Sequence, residues 1–184
     1  MSDATPPAGI GRPDLTAFAR LDGLGLAVIG QRLEPDRAVL ACRVAAAGGW
    51  CRRCGAEGLA RDTVVRRLAH EPLGWRPAIL EVAVRRYQCR ECGHVWRQDT
   101  SLAAEPRAKL SRRGLRWALE GIVVQHLTVA RVAEGLGVAW DTANNAGSTL
   151  WSPRTLTSRS RRPGASTSGW SLPAGTRTAA KDTS

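Results

Sequence analysis

The sequence has no long hydrophobic run, one tyrosine, one phenylalanine and three histidines. Its apolar stretches, such as Gly23–Gly30, are short and broken by glycine. They fall well below the roughly 18–20 apolar residues of a membrane span, so no spanning helix is expected. The N-terminus, with Asp3, Pro6 and Pro7, lacks the basic stretch and apolar core of a secretion signal. A cytoplasmic location is therefore expected, where thiols stay reduced and paired cysteines read as metal ligands rather than disulfides. His70 and His126 stand at no ligand spacing, and no Cys–His–Asp arrangement suggests a nucleophile.

What is present is positive charge and tryptophan. The formal net charge is +11, the isoelectric point is near 11.0, and there are seven tryptophans. Such an excess favours a polyanionic partner, nucleic acid first and an acidic membrane surface second. The bland alternative is the heavy arginine use of GC-rich coding DNA. With hydrophobic residues at 43%, a small core is possible in one or two domains.

Periodicity divides the chain. Residues 1–13 contain Pro and Gly without a pattern and read as a disordered lead. A short helix over 15–20 is followed by a strand over 24–29 (Leu24, Leu26, Val28). The turn Glu34-Pro35-Asp36 and a strand over Arg37–Val44 complete a hairpin. Thr63–Leu68 and Ala78–Tyr87 read as further strands joined by Leu73–Pro77, and Val95-Trp96 begins a return strand. From Ser111 the period changes from two to about 3.6 residues. Leu115, Leu119, Ile122, Val123 and His126 then mark one helical face, and Val129, Val132, Ala133 and Leu136 mark a second helix. A third follows Val138. Beyond about residue 147 the chain is rich in Ser, Thr and basic residues, with Asp182 its one acid, and reads as disordered. The expected class is α+β: a small β-rich metal-binding domain at 14–104, a three-helix domain at 105–147 and a basic tail at 148–184.

The strongest chemical signal is Cys51-Arg52-Arg53-Cys54-Gly55 repeated as Cys89-Arg90-Glu91-Cys92-Gly93. Two residues between the cysteines let both sulfurs face one ion from a tight turn, and the glycine tolerates the positive φ such a turn needs. Four thiolates make a closed tetrahedral shell for one structural Zn2+ on Cys51, Cys54, Cys89 and Cys92. The stretch 55–88 between the pairs exceeds the compact ribbon spacing of roughly 15–20 residues, so a structured insertion is expected. Chance pairing of reduced cysteines, or an iron–sulfur or redox role, are the alternatives. Cys42 stands alone in a strand and reads as a small buried apolar residue. His94 could substitute as a ligand, although a solvated or locally hydrogen-bonded ring is the simpler reading.

Thr128 is a natural N-cap for the helix Val129–Leu136. Ala133 suits close helix packing, Gly137 suits the turn and Val138 plugs the core behind it. This is helix-turn-helix spacing, in which the next helix, Trp140–Ala146, enters a DNA major groove. A small helical-bundle core would give a similar pattern. The exposed candidates are Trp140, Thr142, Asn144 and Asn145, and asparagine pairs well with adenine. That helix carries no Lys or Arg, so phosphate contacts fall to Arg112, Arg113, Arg116 and Arg131. Those arginines read equally as a solvated helix face.

In order, the chain shows a Cys-x-x-Cys-Gly knuckle, a strand region, Arg-Arg-Tyr-x-Cys-x-x-Cys-Gly, a helix, and Val-Ala-Glu-Gly-Leu-Gly-Val-Ala-Trp-Asp-Thr. Over roughly residues 15–147 this order resembles the ISL-three family of insertion-sequence (DDE) transposases. The resemblance implies zinc on the four cysteines, DNA contact by 128–146, and recognition of an element's terminal repeats. It also implies a following domain with three carboxylates holding two metal ions. After residue 147 only Asp182 is acidic, so no catalytic residue is expected here. The expected function is that of a truncated, non-catalytic, nucleoid-associated DNA-binding fragment, with full-length transposase as a further possible partner. The tail reads as out-of-frame translation or as a genuine basic tail. The other readings are a stand-alone zinc-containing helix-turn-helix regulator and a zinc-stabilised protein-interaction module.

Overall fold

The computed structural model describes residues 14–149. The expected lead at 1–13, and the expected tail from 150 onward, lie outside the described residues. The chain opens with a short helix α1 (Leu15–Phe18), capped by the Asp14 carboxylate, which accepts a hydrogen bond from the Thr16 N–H at 2.8 Å. A 3-10 turn at Asp22–Leu24 ends on Gly25 at φ +66°. Leu24 therefore belongs to this turn and not to the first strand, where the alternation had placed it; β1 runs Leu26–Leu33.

Strand β1 pairs antiparallel with β2 (Ala38–Val44), forming the expected hairpin. Strand β2 then lies parallel to β4 (Arg76–Cys89), which pairs antiparallel along its other edge with β3 (Gly58–Leu73). The short β5 (Val95–Arg97) pairs with the C-terminal end of β4, beyond the stretch that β2 occupies. The path is β1-β2-β4-β3, with β5 beside β4. Strand β3 starts five residues before the expected Thr63, because pairing with β4 holds Gly58 to Asp62 extended despite their weak strand character.

Registered rows define the faces. Leu40, Leu80 and Leu68 stand opposite one another and are all buried, as are Cys42 and Val82 beside them. Leu21, Leu24, Ala103 and Ala104 close this core from above. Each fully buried leucine contributes about 1.5–3 kcal/mol.

Three helices follow: α2 (Arg112–Val123), α3 (Val129–Leu136) and α4 (Trp140–Thr149). Thr128 caps α3, and Gly137 ends it at φ +63°. The buried side of α2 is Gly114, Ala118 and Gly121, with Leu115, Trp117 and Ile122 beside them. Val123 is 59% exposed and His126 lies in the following turn at φ +53°, so neither joins the packed face that apolar spacing suggested. Val123 closes the helix on its exposed side, and the helix ends before His126.

The helices dock on the outer edge of β3. Residues Lys109 to Ser111 bridge Ala69, whose N–H donates to the Lys109 carbonyl at 2.8 Å while the Ser111 N–H donates to the Ala69 carbonyl at 2.9 Å. Ser111 caps α2 by accepting from the Gly114 N–H at 3.0 Å, and its hydroxyl meets His70 Nδ1 at 2.9 Å. Arg113 grips Glu71 with two hydrogen bonds of 2.6 and 2.9 Å.

Candidate metal centre and nucleic-acid interface

The long spacing between the knuckles has a simple cause: the insertion is the β3–β4 hairpin. The chain leaves the first knuckle along β3, turns at Gly74-Trp75 and returns along β4, so Gly58 stands directly opposite Cys89. The two cysteine pairs meet because antiparallel pairing returns the chain to its starting point.

The knuckles share one local design. The Gly55 N–H donates to the Cys51 carbonyl at 2.9 Å, and the Gly93 N–H to the Cys89 carbonyl at 3.2 Å. Both glycines are left-handed, at φ +76° and +67°. The Cys51 N–H donates to the Ala56 carbonyl and the Cys89 N–H to the His94 carbonyl. Cys51 Sγ lies 3.6 Å from Cys92 Sγ, Cys54 Sγ lies 3.4 Å from Cys89 Sγ, and all four sulfurs fall within 4.8 Å of one another. A disulfide needs about 2.05 Å. Thiolates about 2.3 Å from zinc form a tetrahedron with edges of about 3.8 Å, which this arrangement matches. The four cysteines are a site for one zinc ion.

As thiols, the ligands do not release protons alike. Burial raises the pKa of Cys51, but the N–H groups of Arg53 and Cys54 and the neighbouring sulfurs outweigh it and bring it down to about 7. Cys89 is lowered, first by the Cys92 N–H. The Ala56 N–H favours the Cys54 thiolate, yet Cys89 and the other sulfurs push that group up to about 12. A cation held between these sulfurs would offset that repulsion and favour the thiolate form that binds metal.

Three side chains that the spacing did not single out hold the first knuckle. The Tyr87 hydroxyl donates to the Ala47 carbonyl at 3.0 Å, Trp96 Nε1 donates to the Gly48 carbonyl at 3.0 Å, and Gln98 Nε2 donates to the Ala46 carbonyl at 3.0 Å. Gln98 Oε1 also accepts from the Arg85 N–H. Tyr87, Trp96 and His94 stack in a column, with centroid separations of 5.6 and 5.8 Å. His94 is thus an aromatic neighbour of the knuckle and stands outside the sulfur cluster. A single buried Gln gives no sequence signal; Trp96, beside a knuckle, could have been flagged. Cys42 is fully buried away from the site, and burial pushes its thiol up to about 11. It is the small apolar residue expected.

Residues 47–92 match the family model of the zinc finger of transposases IS204/IS1001/IS1096/IS1165. The matched segment contains both knuckles and the whole β3–β4 hairpin. It is this chain's zinc ribbon. The match covers well under half of the 184 residues and does not reach the helices. No curated protein and no solved structure matches the chain. A transposase-type zinc ribbon is consistent with DNA binding.

The other candidates lie apart from the zinc ribbon's sulfurs, on the helices. Trp140 opens α4 and is 53% exposed; Asn145 is exposed, while Thr142 and Asn144 are half-buried around the buried Ala143 and Ala146. Each of the four arginines is engaged by a carboxylate: Arg112 with Glu105 at 2.6 Å, Arg113 with Glu71 at 2.6 Å, Arg116 with Glu120 at 2.7 Å and Arg131 with Glu134 at 2.7 Å. Arg113 is largely covered and serves as a clamp between helix and sheet. The other three are exposed surface pairs, worth about 0–1 kcal/mol each and open to exchange. Among the described residues no helix is long and apolar enough to cross a membrane.

Proposed function

We propose that the chain binds double-stranded DNA as the recognition part of an ISL-three-type transposase, with the terminal repeats of its element as the target. The observation that carries this reading is the coincidence of the matched segment with a complete four-sulfur zinc site. Helices α3 and α4 act as a helix-turn-helix. Support comes from the Thr128 cap, the left-handed Gly137 between the two helices and the buried Val132, Ala133 and Leu136. In this reading α4 lies in the major groove, and Trp140, Thr142, Asn144 and Asn145 face the bases. Zinc is structural, because four protein thiolates leave no coordination position for a substrate. The chain binds without cutting or joining DNA by itself, and it works at the nucleoid, alone or alongside a full-length transposase.

The test is fluorescence anisotropy of the full chain with a labelled duplex carrying the element's terminal repeat, against a scrambled duplex of equal length. Preference for the repeat is expected, with Asn145→Ala reducing that preference by about 1–3 kcal/mol if it reads a base. Equal binding to both duplexes would remove the terminal-repeat claim. Binding to neither would remove the DNA reading.

A further inference from the structure

The helices are poorly equipped to hold phosphates. Between Arg112 and Thr149 the basic side chains are Arg112, Arg113, Arg116 and Arg131, each engaged by a carboxylate, and α4 adds Asp141. The opposite end of the molecule is different. Arg86 on β4 stands directly opposite Arg97 on β5, a like-charge pairing that destabilises a sheet unless an anion sits over it. Asp62 reaches Arg86 from the other side at 3.3 Å. Arg61 occupies a bulge on β3 at the same level. Arg61 and Arg90, from the second knuckle, line one cleft of about 410 Å³ with Leu59 and Gln88. Arg61, Arg90 and Arg97 are exposed, and among the described residues none of the three has a carboxylate within ion-pair reach.

We propose that Arg61, Arg90 and Arg97, on β3, the second knuckle and β5, form the phosphate-contact surface for duplex DNA, in place of the helix arginines. The proposal rests on the DNA-binding reading and assigns its electrostatic part. Arg61 and Arg90 share one cleft, Arg97 lies on β5 across from Arg86, and the two knuckles fix this end of β3 and β4. The ribbon then positions the duplex, while α4 supplies whatever sequence preference there is. The acids at this end are Asp62, engaged by Arg86, Asp99, which reaches Arg52 of the first knuckle at 3.6 Å, and Glu57 and Glu91 near the knuckles.

Counterion release gives a direct readout. Each phosphate contact contributes a slope of about 0.9 to the fall of log affinity with log salt, so three contacts make about 40-fold over a fourfold change in salt. The full-length zinc-loaded chain is titrated with a labelled duplex of arbitrary sequence at low and fourfold higher salt. The triple variant Arg61→Gln, Arg90→Gln, Arg97→Gln should flatten that salt dependence by about 40-fold, with zinc content and melting temperature unchanged. The triple variant Arg112→Gln, Arg116→Gln, Arg131→Gln should keep the original slope. If the ribbon variant fails to fold, Arg97→Gln alone should lower the slope by about one. A ribbon variant that binds with the original slope, or a helix variant that flattens it, overturns the proposal and leaves the DNA reading standing. An original chain that binds no duplex at low salt overturns both.

Discussion

Five cysteines behave in two different ways, and position in the fold decides which. Cys51, Cys54, Cys89 and Cys92 converge on one point, whereas Cys42 is buried among Leu40, Val82 and their neighbours. Cys54→Ser and Cys89→Ser should each abolish stoichiometric zinc in native mass spectrometry. Cys42→Ala should retain one zinc per chain and cost about 1 kcal/mol in a urea melt, the loss of a small buried group. His70 offers a second test at this scale. Its ring is fully buried, Nδ1 meets Ser111, and Nε2 has no hydrogen-bond partner among the described residues. Burial lowers its pKa below the ordinary 6.5, overcoming Glu71 and the Ala19 backbone, which favour the cation; Arg113 lowers it further. The folded form is therefore neutral, and the unfolded chain takes up a proton first as pH falls through 6.5. Stability should fall below that pH, by at most about 1.4 kcal/mol per unit, until the folded ring itself protonates. His70→Gln should remove this component of the pH dependence; an unchanged curve would show that the ring already protonates normally in the fold.

At the scale of elements, the lesson comes from α2 and the β3–β4 hairpin. The helix was legible from its 3.6-residue period beginning at Ser111, and Leu115 and Ile122 of the expected face do pack on the core, but Val123 and His126 do not and the closest contacts were not foreseen. Spacing arguments weigh leucine, isoleucine and valine, whereas α2 docks through Gly114, Ala118 and Gly121, which let backbones approach. A Cβ on Gly114 would lie 2.8 Å from the Ala69 carbonyl oxygen and 3.3 Å from the His70 backbone. Backbone cannot yield as a side-chain tip can, so Gly114→Ala should cost about 1–3 kcal/mol by chemical denaturation. The gain in helix propensity, at most about 1 kcal/mol, does not offset it. In the hairpin, the alternation of Leu80, Val82 and Val84 was readable in advance. The extension of β3 back to Gly58 was not, because it depends on a partner strand and not on the residues themselves.

For the whole molecule, zinc ties the open end of the β3–β4 hairpin, while Lys109 to Ser111 and the Arg113–Glu71 clamp tie the helices to its turn end. Structural zinc sites supply folding free energy directly. Adding a chelator should therefore raise hydrogen exchange first at 49–60 and 87–98, with α3 keeping its protection longer. Simultaneous loss throughout would mean that the two ends fold as one cooperative unit.

The sequence by itself determined the local chemistry. Two Cys-x-x-Cys-Gly turns specify their own geometry within a few residues, and Thr128 with Gly137 marks the ends of α3, because caps and left-handed turns are short-range events. Only the tertiary structure decided what depends on distant partners. It put β2 beside β4, made the stretch between the knuckles a hairpin that closes on itself, and set a carboxylate against each helix arginine. It also left Arg61, Arg90 and Arg97 exposed at the zinc end without one. Which charges are neutralised is a question of neighbours in space, and residue spacing along a chain does not carry that information.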